Sequence, residues 1–291
     1  MRIPAYFSAA YAPDEVPLLA RLGTTRDRLQ RLGLVDLHEA APLDPAALDG
    51  LHDAAYLQAF LAGIEPMASR QGIRWSPRVR DATLAMLGGQ LQAAQHAIER
   101  GGIAMNIARG FHHAHPAAGS GFCPVNGLAL LAHAMPGRRI LVIDCDEHGG
   151  NGTEEFAARL PNLHAVSIFG TRFGCRGGVR SWAHHITREQ GFPAYLDALR
   201  QAASLVLQVT PDLLVYQAGA DCHRDDPKSQ LRLSTTEMFQ RDLAVFRLAR
   251  RRRIPLLFVV AGGYQSADRV AYLNSNTVRA ARHAWQEPIA P

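Results

Sequence analysis

The sequence predicts an α/β protein: one doubly wound domain with a mainly parallel sheet and helices on both faces. Three observations carry this. Five short, continuously apolar runs occupy 103–107, 140–143, 164–168, 213–216 and 254–260. Runs without polar alternation belong to strands buried on both faces, the state of a parallel sheet. Helical stretches separate the runs, as crossover connections require. Polar or glycine-rich turns follow four of them, where open parallel sheets present their ligands.

The chain has 291 residues, 47% hydrophobic and 20% charged. That composition is globular, and one domain over 1–291 is the simplest organisation. No apolar run approaches the ~20 residues that span a bilayer, and no apolar leader follows Met1. A cytoplasmic protein without membrane contact is expected. The net charge is +5, and every basic residue is Arg except Lys228. The densest basic run, Arg250 to Arg253, directly precedes the last apolar run and reads as a solvated helix end, where cations complement the backbone dipole. No nucleic-acid partner is expected. Cys123, Cys145, Cys175 and Cys222 form no Cys-x-x-Cys pair, so reduced thiols are expected and a zinc ribbon is excluded.

In chain order, the first hundred residues read mostly as helix. The clearest stretch is 82–101, amphipathic and closed by Gly101-Gly102. The first apolar run leads into Arg109-Gly110-Phe111-His112-His113. The second leads into Asp144-Cys145-Asp146-Glu147-His148-Gly149-Gly150-Asn151-Gly152. The fourth leads into Gln217-Ala218-Gly219-Ala220-Asp221, and the fifth into Ala261-Gly262-Gly263-Tyr264.

Residue types at these strand ends specify chemistry. Asp146 and His148 are two apart and share one side of an extended chain. With Asp221 they form a set of three ligands, the pattern of catalytic zinc with an open position. Zinc-bound water supplies a nucleophile near neutral pH. His112 and His113 titrate in the range needed to take and return its proton. Asp144 is placed to hold one of these rings and Asn151 the other. Tyr264 is placed to donate to a developing oxyanion. Taken singly, each has a plainer reading: a helix cap, a structural His pair, a ring packed at a turn. Taken together at matching strand ends, they point to metal-assisted hydrolysis of an amide or similar carbonyl compound. His38, His52, His96, His133, His164 and His283 read as structural. His184 and His185 lie in a connection and are weaker candidates for a site rim. Cys145 reads as core, with Cys222 beside a ligand. No nucleophile elbow, Walker loop or dinucleotide glycine motif is present.

Several segments resemble the zinc-dependent histone deacetylase family. They are Gly110-Phe111-His112-His113, Gly121-Phe122-Cys123-Pro124-Val125-Asn126, Ile143-Asp144-Cys145-Asp146-Glu147-His148, Gly150-Asn151-Gly152, Ala218-Gly219-Ala220-Asp221 and Gly262-Gly263-Tyr264-Gln265, in family order. The last, with the short chain, looks most like class IV deacetylases and bacterial histone deacetylase-like amidohydrolases. The resemblance implies the arginase/deacetylase fold, with a parallel sheet of about eight strands. It implies one Zn2+ on Asp146, His148 and Asp221, with His112 and His113 as acid/base pair and Tyr264 as transition-state donor. It implies an acyl-lysine tunnel lined by Gly121, Phe122 and Gly263. It also implies a structural K+ or Na+ on Asp144, Asp146, His148, Ser167 and Ile168, largely through backbone oxygens. Arg109 stands where the family usually has glycine, Gly127 where it has Asp, Gly149 where it has His or Gln, and Phe169 where it has His. The His-Pro signature near the N-terminus is missing. These departures touch substrate choice rather than the reacting groups. The substrate expected is an N-acyl-lysine peptide or protein. The alternatives are a small acylated amine such as an acetylpolyamine, or a non-catalytic metal-binding module. Intact His112, His113 and Tyr264 disfavour the last. The sequence assigns no oligomeric state.

Overall fold

The structure, a computed structural model, describes residues 1–288; the last three residues of the expected 1–291 range lie outside it. Eight parallel strands form one sheet among the described residues. They are β1 (Ile3–Phe7), β2 (Val35–Glu39), β3 (Ile103–Asn106), β4 (Ile140–Asp144), β5 (Leu163–Phe169), β6 (Ser181–His185), β7 (Leu213–Ala218) and β8 (Leu256–Val260). The spatial order is β2-β1-β3-β8-β7-β4-β5-β6. Eight α-helices accompany them among the described residues: α1 (Pro17–Arg31), α2 (Ala54–Ala62), α3 (Pro77–Glu99), α4 (Gly127–Ala134), α5 (Asn151–Arg159), α6 (Gly191–Val209), α7 (Thr235–Arg252) and α8 (Ala267–Gln286). α1, α8, α7 and α6 pack in succession, as do α3, α4 and α5.

The five apolar runs are the buried strands, and β3, β4, β7 and β8 are buried at every position. The expectation that the first hundred residues are mostly helical is corrected by β1 and β2. β2 (VDLHE) is an edge strand with a wet side, so polar residues interrupt its pattern. β1 carries Pro4, which removes a ladder donor. Its register with β3 begins only at Ala5, so Pro4 faces no β3 partner. β6 was expected as a connection. It is the opposite edge, and it carries His184 and His185. α3 starts five residues before the expected stretch because Ser76 accepts from the Val79 amide and Pro77 occupies the first turn. α7 ends in the arginine run, with Arg253 left-handed after it. No helix of the described residues is long and apolar enough to cross a membrane.

Candidate active site

The four strand ends that carry the candidate residues belong to β3, β8, β7 and β4, four consecutive strands in the middle of the sheet. This adjacency gathers groups more than a hundred residues apart. Ligand atoms of Asp146, His148 and Asp221 all lie within 4.8 Å of one another. His148 Nδ1 is 3.2 Å from Asp146 Oδ1 and 3.2 Å from Asp221 Oδ2. The Gly262 amide donates to Asp146 Oδ2 at 2.7 Å, and the Glu147 amide to Asp221 Oδ1 at 3.1 Å. Asp221 Oδ2 is buried with no hydrogen-bond partner among the described residues.

Charge in the cluster is tightly coupled. Burial, and then repulsion from Asp146, pushes Asp221 up to about 6. Burial opposes ionisation of Asp146 too, yet His112 and His148 hold it well below the usual carboxylate range. His148 is pushed up to about 10: burial works against its charge, but the two carboxylates outweigh it. The pair of carboxylates therefore calls for a cation between them. An unpartnered buried carboxylate oxygen, a second carboxylate and an imidazole fit a divalent ion.

Beside this triad, the His112 and His113 rings lie 3.9 Å apart, centre to centre. Each is fixed at Nδ1 by a different group: His112 by Asp144 Oδ2 at 2.7 Å, His113 by Asn151 Oδ1 at 2.8 Å. Nε2 of His112 is 3.8 Å from Asp146 Oδ1. The two environments pull apart. Burial disfavours charge on His112, but Asp144 and Asp146 raise it above the ordinary histidine value. His113 is held well below that value by burial and by His112. Tyr264 keeps its proton, because burial pushes its phenol up. Its amide donates to Asp226 Oδ2 at 2.7 Å, which anchors the turn after β8.

A small cavity connects these groups. It is lined by His112, His113, Gly121, Asp146, Gly262 and Tyr264, with Arg109 and Gln217 at its side. Two glycines are required here by close approach. A Cβ on Gly121, whose φ is +51°, would sit 2.5 Å from the His113 ring; one on Gly262 would sit 1.9 Å from Asp221 Oδ2. Phe122, with φ 64°, lies next to this in a groove shared with Gly72, Ile73 and Trp75. Its ring centre is 6.3 Å from that of Tyr264. Gly263 is turned so that its carbonyl accepts from the Arg21 guanidinium. Of the remaining expected cation-site residues, Ser167 pairs in register with Asp144 and its hydroxyl accepts from the Gly150 amide. The Ile168 carbonyl accepts from Tyr195 at 3.5 Å.

Other candidates are placed elsewhere. His185 faces the Gly170 carbonyl at 2.9 Å. Cys145 and Cys222 are fully buried, and the Cys222 thiol donates to the Cys145 carbonyl. His52 is buried and braces the backbone carbonyls of His115 and Pro116. Two neighbours escaped the sequence reading. Phe173 stacks on His113 with centres 4.0 Å apart, and only its position among glycines in a loop hinted at it. Arg21 reaches Gly263 across 242 residues, with no local signal at all.

A model of the histone deacetylase domain matches residues 18–281. An uncharacterised protein of Picosynechococcus sp. is 33% identical over 256 residues, covering 83% of this chain and 83% of that one. Histone deacetylase 2 of Arabidopsis thaliana is 29% identical over 248 residues, 78% of this chain and 63% of that protein. A crystal structure of acetylpolyamine aminohydrolase from Burkholderia pseudomallei shares the fold, with a TM-score of 0.79 at 22% identity over 97% of this chain and 98% of that one. The strand order, the family match and these relatives agree, and the chain belongs to the histone deacetylase domain family.

Proposed function

We propose that the protein is a zinc-dependent deacylase that hydrolyses the amide of N-acyl-lysine in a peptide or protein. One observation carries this reading: two adjacent histidines, held at Nδ1 by a carboxylate and by an amide, border one cavity with a tyrosine and with Asp146, whose carboxylate belongs to a carboxylate–imidazole–carboxylate triad. Asp146, His148 and Asp221 would hold the zinc, one per chain. When bound, it supplies a Lewis acid and an acidified water. His113, neutral in its surroundings, is the ring able to accept the water's proton and pass it to the leaving amine. Asn151 fixes its tautomer. His112, whose affinity for a proton Asp144 and Asp146 raise against the effect of burial, stands beside it at the reacting carbonyl. Tyr264 donates its O–H to the oxygen that gains charge. Gly121 and Phe122 border the approach of the lysine stalk. A structural monovalent cation near Asp144 and Ser167 belongs to the same proposal, as does a single catalytic domain over the chain.

The choice of lysine over polyamine rests on the mouth. Lys228 is exposed, and its ammonium lies 5.0 Å from the centre of the Tyr264 ring. A polyamine brings further cations to meet it, whereas the stalk of an acyl-lysine carries none. The test is hydrolysis of an acetyl-lysine peptide and of acetylated polyamines by metal-free and zinc-loaded protein. Peptide turnover lost on chelation and restored by zinc supports the proposal. Turnover of polyamines alone selects the small-amine reading. No turnover of either by zinc-loaded protein refutes both.

A further inference from the structure

Arg109 is the charged residue of the cavity that the reaction does not use. It follows β3, where the chain turns toward His112, and is 6% exposed. Its Cζ lies 5.8 Å from the centre of the Tyr264 ring. Its Nη2 has no hydrogen-bond partner among the described residues, and neither has Oε1 of Gln217 on the same cavity wall. Leaving a buried donor unpaired is costly, and such groups are rare in folded proteins. The cavity itself measures about 10 Å3, the room of a single water. The space beside the reacting groups is therefore both short and polar.

Resting on the deacylase reading, we propose that Arg109, with Gln217 beside it, is the floor of the acyl pocket and restricts the enzyme to acetyl-sized acyl groups. Two effects act in the same direction. The guanidinium occupies the space that additional methylenes need. An alkyl chain driven against it would also seal an unpaired cation away from water, which is costly. A methyl group is close in size to the single water the cavity admits, so acetyl is the acyl group that fits beside the guanidinium.

The experiment compares wild type, Arg109→Ala and Arg109→Met, all zinc-loaded. One lysine peptide carries acetyl, butyryl, hexanoyl or succinyl, and turnover is measured for each. In parallel, calorimetry follows binding of acetate, butyrate and hexanoate, which reads pocket length without any cleavage. Wild type is expected to lose about 100-fold or more from acetyl to hexanoyl, since even one or two methylenes that a fitted pocket rejects are worth roughly tenfold or more each. Arg109→Ala is expected to narrow that gap to about tenfold or less. Arg109→Met fills the space without charge and keeps the length limit. Melting temperature and zinc content confirm that each variant is folded and loaded. Wild-type turnover of hexanoyl comparable to acetyl overturns the proposal, whether or not the alanine variant folds. So does an unchanged ratio in folded Arg109→Ala, or an opened pocket in Arg109→Met. A wild-type preference for succinyl also overturns it, because Arg109 would then bind a carboxylate. If no peptide turns over while the acid series shows a cut-off that Arg109→Ala erases, the deacylase reading falls and the floor stands. Turnover without length dependence gives the reverse.

Discussion

Arg241 on α7 is fully buried beneath the triad, and its replacement by Met tests how the site is held. Nε and Nη2 lie 2.9 and 2.8 Å from Asp242 Oδ1. Nη1 donates to the carbonyls of Cys145 at 3.0 Å and Gly219 at 2.9 Å. Cys145 directly precedes Asp146, and Gly219 lies two residues before Asp221. One guanidinium thus clamps the ends of β4 and β7 that deliver the two carboxylates. Met keeps the length and removes the charge and donors. Asp242 is then left with the hydroxyls of Tyr216 and Thr277 alone. Removing one partner of a buried ion pair costs about 3–5 kcal/mol. The Gly219 carbonyl, deprived of its donor, costs about 1–3 kcal/mol, while the Cys145 carbonyl keeps the Cys222 thiol. These losses share one side chain and overlap, so the expectation is about 4 kcal/mol, a large part of the ~5–15 kcal/mol that holds a domain folded. Urea unfolding of the metal-free protein measures this. Zinc affinity, by chelator competition, is expected to fall about 10- to 100-fold, as for other groups that orient ligands. A variant within about 1 kcal/mol of wild type, with unchanged zinc affinity, refutes the reasoning.

Three further outcomes are expected. Tyr264→Phe lowers turnover about 100-fold or more with zinc still bound, the scale of a lost oxyanion donor; near-normal turnover removes its proposed role. Asp221→Ala abolishes zinc binding, checked by metal analysis after dialysis; full zinc content shows that the third ligand lies elsewhere. The third concerns pH. Burial lowers His52 to about 4, while in the unfolded chain it takes up a proton near pH 6.5. Below 6.5 the unfolded state therefore holds the extra proton. Stability falls with pH by about 1.4 kcal/mol per unit, levelling off near pH 4 after a loss of roughly 3 kcal/mol. His52→Gln flattens the dependence of unfolding free energy on pH by about one proton across that window, and an unaltered slope speaks against the assignment.

The buried half of the sheet was legible because burial leaves a mark in composition. β3, β4, β5, β7 and β8 read as continuous apolar runs since both faces are covered. β2 and β6 were not legible, because edge strands have a wet side and their polar residues resemble loops. β1 was hidden by Pro4, which is tolerated where no β3 partner needs the missing N–H.

The site divides in the same way. The sequence by itself determined the inventory: which residues can bind a metal, carry a proton or donate to an oxyanion, and that each follows an apolar run. Asp146 and His148 share a segment, so their partnership was readable from spacing. That Asp221, His112 and Tyr264 join them was decided by the strand order β3-β8-β7-β4, which places four strand ends side by side. The asymmetry of the histidine pair was decided there too, since a carboxylate charge meets His112 while only a neutral amide meets His113 once β4 and α5 are in place. Arg21 on Gly263, Arg241 under the carboxylates and Arg109 against Tyr264 left no local signature. A sequence pattern records whether a residue prefers water or the interior. Which partner meets a buried charge depends on contacts that form only when distant strands pack.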